Sequence, residues 1–344
     1  MKRILFCLWL VPVVFMNPIF AEKLTVFDEL RKPSQLYLHQ DYFYIVEFPT
    51  VYIYSLKDFH LFKQLGKQGE GPREFLKYAR LHFLPEYNII QSFNKLSYYT
   101  KEWTYLKEER VLLNFDRGLY VMGNRLLINQ MAPGTDDPNQ MDLTLTLYDT
   151  DFKKIKEFFR ETYYIQFGKQ INGIYLAETD RRSGITYSLW DNKIYIQGED
   201  GETGNLYIYD YNGEKTGSLH LEFEKLKVTA EHKQAVEDWY KLRRRRLLSI
   251  VSARGWLAWP EYFPAIRFVT VQDDKIYVIP YKRKQGKNQL YIFDLQGKLL
   301  KQLDAPLVEE TIFSFYPFRI YDGKLYQLLE NPDEVWELHV HDID

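Results

Sequence analysis

The chain predicts an all-β fold: a six-bladed β-propeller closed by its N-terminal strand, with one helical insertion. Three observations predict it. The first is a phrase that recurs at long intervals: a polar turn, an apolar–Tyr pair, a gap, then an alternating strand. Its clearest copies are Asp191-Asn192-Lys193-Ile194-Tyr195-Ile196 leading to Leu206-Tyr207-Ile208-Tyr209-Asp210-Tyr211-Asn212-Gly213, and Asp273-Asp274-Lys275-Ile276-Tyr277-Val278 leading to Leu290-Tyr291-Ile292-Phe293-Asp294-Leu295-Gln296-Gly297. A third opens at Tyr321-Asp322-Gly323-Lys324-Leu325-Tyr326. Each copy is one small antiparallel sheet that cannot bury both faces alone, so neighbours must stack. The second observation is the ring content, 28 Tyr, 23 Phe and 7 Trp, which suits pleated, half-buried surfaces. The third is length: a blade of four short strands takes roughly 40 residues, so six blades plus two insertions fill the chain and eight do not.

The elements follow in order. Lys2 and Arg3, the apolar stretch 4–15, Pro18 and Ala21 before Glu22 read as a signal peptide over residues 1–21, leaving a propeller over 22–344. The stretch is too short, and too interrupted by Pro12, for a good membrane span, and no later apolar run is long enough for one. The expected location is therefore exported, periplasmic or extracellular. Cys7 is the one cysteine and lies inside the leader, so the mature chain holds itself by core burial without disulfides. The first blade opens over 36–46 and continues to 51–56. The second covers 79–84 and 89–91 around a turn at Pro85-Glu86-Tyr87-Asn88. The third runs through 119–122 and 125–128, with 143–148 as its outer strand. The last unit offers only three strands (318–320, 325–328 and 335–340), and Leu24-Thr25-Val26-Phe27 is a spare strand that completes it and closes the ring.

The insertion, near residues 224–264, predicts the one long helix. Thr229 is a good N-cap, Glu231 lies early and Arg243 to Arg246 late, and Val236, Trp239, Tyr240, Leu247, Ile250 and Val251 make one stripe before Gly255.

Between the first two blades stands Leu65-Gly66-Lys67-Gln68-Gly69-Glu70-Gly71-Pro72-Arg73-Glu74-Phe75. Glycines permit a tight loop of positive φ, Pro72 sets φ, and Phe75 can plug between sheets. The phrase resembles the blade-to-blade connector of six-bladed propellers related to NHL repeats, with Gly66, Gly69, Gly71, Pro72 and Phe75 matching. It occurs once here and recurs in regular NHL arrays, so the resemblance is to exported bacterial six-bladed propellers. Such families imply binding and scaffolding more often than catalysis, although lactonase-type members hold an axial divalent cation through Glu, Asn and Asp from separate blades, and amidating-lyase propellers hold zinc through His.

Charge excludes a general attraction to nucleic acid: Lys plus Arg number 45 against 47 Asp plus Glu. No phosphate loop, nucleophile elbow or His-x-x-x-His spacing occurs. His339 and His341 alternate on one strand, placed as the outer strand of the last blade, and read as surface residues. The acidic segments 134–142 and 198–205 lack the spaced pattern of a calcium loop and read as hairpin turns, with calcium as the alternative. The expected function is non-catalytic recognition of a protein, peptide or glycan by a monomer in the cell envelope, with no catalytic residue, metal ligand or cofactor. Arg244 and Arg245 supply charge for an anionic partner, and Trp256 and Trp259 supply rings that stack on sugars or grip a peptide. The alternatives are a metal-dependent, lactonase-like hydrolase or lyase with its site on the axis, and a structural module of an envelope complex.

Overall fold

The computed structural model describes residues 22–76, 78–111, 118–133, 140–164, 171–172, 186–198, 204–243, 257–311 and 314–344. Six four-stranded antiparallel sheets follow one another along the chain. Blades one to five are built from consecutive strands, beginning at Gln35–His39, Arg80–Phe83, Gly118–Met122, Tyr187–Trp190 and Ile266–Gln272 respectively. The sixth starts at Phe318–Tyr321, passes through Lys324–Glu330 and Trp336–Asp342, and takes Glu22–Phe27 as its outer strand. The spare N-terminal strand therefore closes the ring as expected, with Phe27 opposite Trp336 and Val26 opposite Glu337. Phe27 is 2% exposed, in a core shared by blade one (Phe43, Ile45, Tyr54) and blade six (Leu328, Trp336, Leu338).

The recurring phrase has a local cause. Asp191 and Asn192, and Asp273 and Asp274, occupy the two central positions of their hairpins, all with φ between 46° and 56°. That pair of positive φ values is what a tight hairpin matched to strand twist demands, and Asp and Asn tolerate it. The Asp that ends each third strand caps the next turn. Asp210 Oδ1 accepts from the amides of Asn212 (2.8 Å) and Glu214 (2.9 Å), and Asp294 Oδ1 from those of Gln296 (3.0 Å) and Lys298 (2.8 Å). Gly213 and Gly297 then take φ of 71° and 85°.

Two expectations are corrected. Residues 143–148 belong to the third strand of blade three, Gln140–Tyr148; the outer strand is Lys154–Tyr164. His339 and His341 lie on the third strand of blade six, covered by Glu22–Phe27. There His341 is 8% exposed, and His339 meets Glu337 at 2.9 Å. The N-terminal strand pairs along residues 336–340, with Lys23 opposite His339, so this strand is not a solvent-facing edge there.

The connector after blade one acts as anticipated. Phe75 is 0% exposed, in a core that joins Tyr44, Val51 and Ile53 of blade one to Ile90 and Tyr99 of blade two. Lys95, 1% exposed, donates to the Gly71 carbonyl at 2.8 Å and pairs with Glu108 at 3.4 Å, fastening the loop to blade two. Lys95→Met removes the donor to the connector and leaves Glu108 without its buried cation. The expected loss is about 1–3 kcal/mol in urea unfolding, and an unchanged midpoint would show that the contact contributes nothing.

All six inner strands start on one face of the ring, where the chain passes from blade to blade, and end on the other in tight hairpins. The connector face carries the long segments. A helix, α1 (Ala230–Arg243), stands in the connector between blades four and five, and is the only α-helix among the described residues. Thr229 caps it as expected, its Oγ1 accepting from the His232 amide at 3.4 Å. Residues 244–256, over which the helix was expected to continue, lie outside the described residues. Ile171–Asn172 pairs in parallel with Leu257–Ala258, joining the connector before blade four to the insertion.

Candidate functional site

Near the axis the inner strands of adjacent blades approach one another directly: blade one with six, two with three, four with five, and five with six. Alternation decides what each contributes. Leu36 and Leu38 face the core shared with blade six, Leu81 the core shared with blade one, and Leu119 the core shared with blade two. The intervening positions carry large polar or aromatic side chains, Tyr37, Arg80, Tyr120 and Arg319, and blade four adds Tyr187, which shares its strand face with Leu189. These come from five blades and meet on the axis.

The Arg319 guanidinium stands over the Tyr37 ring at 5.3 Å and donates to the Phe318 carbonyl at 2.9 Å. Arg319 is exposed and makes no ion pair among the described residues. Arg80 stacks on the Tyr78 ring at 4.7 Å. Tyr37 donates its hydroxyl to Gln35. Tyr120, 40% exposed, meets Tyr187 edge-on at 5.2 Å and His82 at 6.3 Å. The Tyr187 hydroxyl is buried, with Tyr120 and the Asn129 side chain as its polar neighbours. Burial raises the Tyr37 phenol, with Arg319 and Arg80 opposing the rise; burial and Tyr120 raise Tyr187, again against Arg80. Both phenols are therefore neutral hydroxyls at physiological pH, lying beside two fixed cations. Blade five adds Ser188's neighbour Thr270, 3.5 Å away, but its arginine does not join the cluster. Arg267 is buried over the Phe315 ring at 4.0 Å and paired with Glu309, which also binds Arg283.

Beside this cluster the contact between blades two and three is polar. His82 is 7% exposed and lies 3.0 Å from Gln91 Oε1; burial lowers its imidazole to about 4, with Arg80 acting in the same direction. His39, stacked on Phe83 at 4.3 Å, is lowered to about 4 by burial and then by Lys101.

Of the residues expected to contact ligand, Arg244, Arg245 and Trp256 lie outside the described residues. Trp259 is half-buried at the edge of a small core formed by Val228, Phe263 and Tyr281, with Lys233 Nζ 5.9 Å from its ring centroid. The same core docks the insertion: His232 of α1 meets Phe263 edge-on at 4.9 Å, and Phe263 stacks on Tyr281, just beyond the second strand of blade five, at 5.0 Å. The acidic segments are partly outside the described residues as well (134–139 and 199–203). Asp142 is buried and paired with Arg160.

The opposite face bears a groove of about 1220 Å³ where blades one, five and six meet, with Asp41, Asp273 and Asp322 among its walls. Its acids serve the turns. Asp273 accepts from the Gly323 amide at 3.4 Å, and the neighbouring C-terminal Asp344 is held by Lys275 at 2.7 Å. No group of three or more His, Cys, Asp or Glu with metal-binding geometry occurs among the described residues.

The axial cluster was not anticipated. Its trace in the sequence is a large polar or aromatic residue between apolar neighbours in the first strand of a unit, as in Leu36-Tyr37-Leu38, Leu119-Tyr120-Val121 and Phe318-Arg319-Ile320. The alternation was legible; which face it met was not.

No protein-family model matches the chain, and no curated protein matches it. Among solved structures it is similar to the β-propeller domain of the Trilobed protease from Pyrococcus furiosus, at 11% identity over 91% of this chain and 82% of that one, with a TM-score of 0.46. It is also similar to the WD40 domain of Pan2 from Neurospora crassa, at 8% identity over 90% and 75% of the two chains, with a TM-score of 0.43. These are likenesses of fold alone; the six blades described above are what make this chain a propeller.

Proposed function

We propose that the chain is an exported, non-catalytic binding propeller of the cell envelope, recognising a peptide, glycan or partner protein on its connector face. The observation that supports this reading is the convergence of Tyr37, Arg80, Tyr120, Tyr187 and Arg319 on the axis, with the long connectors standing on the face where the inner strands begin. Aromatic faces and guanidinium groups make contact area and directed hydrogen bonds at low entropic cost, the composition of recognition surfaces. A lactonase-like site would place a divalent cation on the axis, and two guanidinium groups there oppose it by like charge. Arg244, Arg245, Trp256 and Trp259, which lie in the chain between blades four and five, are the further residues proposed to contact the ligand.

The test is a glycan and peptide array probed with the mature chain, with and without chelator. The expected result is capture that survives chelation and is lost in the Trp256→Ala, Trp259→Ala double variant, whose near-UV circular dichroism stays native. Hydrolysis of lactones or esters that disappears with chelator, in place of capture, would instead establish the metal-dependent enzyme. Unfolding of the double variant would assign the two rings to the core.

A further inference from the structure

Arg319 is placed unlike the other described arginines of the inner strands. Arg267 is buried against Glu309, and Arg80 is stacked on Tyr78. Arg319 is exposed at the axis, with one donor on its neighbour's carbonyl and its guanidinium carbon 5.3 Å from the Tyr37 ring centroid. A guanidinium held near a ring face and by one carbonyl keeps further donors, which can meet two oxygens of a planar or tetrahedral anion at once. Around it stand hydroxyl groups held neutral by burial. A neutral phenol donates to an anion, whereas a phenolate would repel it. Tyr187 meets Tyr120 edge-on at 5.2 Å, and Tyr120, 40% exposed, presents its ring and hydroxyl beside it. Tyr37 lies within electrostatic reach of both Arg319 and Arg80, which arrive from blades six and two on opposite sides of blade one.

We propose that the connector end of the axis is an oxyanion site, in which Arg319 and Arg80 hold a carboxylate, sulfate or phosphate group and the hydroxyl of the exposed Tyr120 donates to it. The inference rests on the binding reading above and gives it a ligand chemistry: the anchoring group is a small anion, with the attached scaffold lying across the rings. Recognition there is by charge-assisted hydrogen bonds, which are stronger than those between neutral groups.

The experiment is calorimetric titration of the mature chain with sodium sulfate, inorganic phosphate and sodium acetate, each at constant ionic strength held with chloride. Saturable binding of one equivalent of at least one anion is expected, and the order among the three separates a carboxylate ligand from a sulfated or phosphorylated one. Arg319→Gln should weaken that binding roughly tenfold or more, as loss of a charge-assisted contact requires. Arg319 is exposed, so this variant retains its fold; Tyr120→Phe removes one donor and keeps the ring, with a smaller loss expected. Arg125→Gln removes a cation that donates to the Tyr211 carbonyl at 2.9 Å on the rim between blades three and four, and should leave anion affinity unchanged. Equal losses in Arg125→Gln and Arg319→Gln would reduce the effect to general charge and overturn the site, as would absence of saturable binding. If anions fail to bind while array capture persists, the oxyanion site falls and the binding propeller stands; if both fail, both fall.

Discussion

Phe75→Ala lowers the unfolding free energy by about 3–5 kcal/mol, measured by guanidinium denaturation of the propeller, residues 22–344. Phe75 is 0% exposed between blades one and two, where its ring touches the cores of both sheets. Truncation removes burial from two blades at once, and the neighbours are fixed by their own ladders, so the gap cannot close cheaply. The loop that delivers the ring leaves no slack either. Gly66 has φ of 90°, and a Cβ there would sit 2.2 Å from the Phe75 ring and 2.5 Å from the Pro49 carbonyl oxygen. Gly66→Ala should therefore destabilise as well, through backbone strain and displacement of the same ring. Phe75→Leu retains most of the apolar area and should lose clearly less than Phe75→Ala. Equal losses in the two variants would mean that the cost comes from the loop and not from the plug.

Acidification destabilises the propeller well before its carboxylates protonate. His82 is lowered by burial from an ordinary 6.5 to about 4, and His39 moves the same way. The folded chain keeps both rings neutral in this interval, while the unfolded chain takes up protons near 6.5. The unfolded state therefore binds more protons between about pH 6.5 and pH 4, so stability is complete above the interval and falls as pH drops through it. For His82, which is almost fully enclosed, the shift corresponds to about 3 kcal/mol at the acid end. Urea midpoints at pH 7.5 and pH 4.5 check this. His82→Gln, which can still meet Gln91, should reduce the difference between the two midpoints. A variant with the same pH slope as the parent would show that His82 does not carry the effect.

Much of the architecture was legible in particular residues. Asp191-Asn192 and Asp273-Asp274 announced hairpins because few residues accept two successive positive φ values. Asp210 and Gly213, and Asp294 and Gly297, marked the turns after the third strands because a side-chain acceptor and a glycine are needed there together. The spare strand at Leu24-Thr25-Val26-Phe27 followed from a sixth unit one strand short, and it pairs where that shortage lies. The connector glycines and Phe75 were also readable, because their demand is local. Less was legible for the extra strand of blade three and for His341. Strand order within a blade decides what is covered, and a period of two does not say whether a strand is third or fourth.

The candidate site shows the same division more sharply. The sequence by itself determined the six-sheet ring, the closure by the N-terminal strand, the turn chemistry and the plug between blades one and two. Each follows from φ preference, alternation or a count of strands, and all of these act within a few residues or within one repeat. Only the tertiary structure decided that Tyr37, Arg80, Tyr120, Tyr187 and Arg319, spread over nearly the whole chain, share one place on the axis. Closing six sheets into a ring brings their first strands together, and that closure is a property of all six sheets that no single segment encodes.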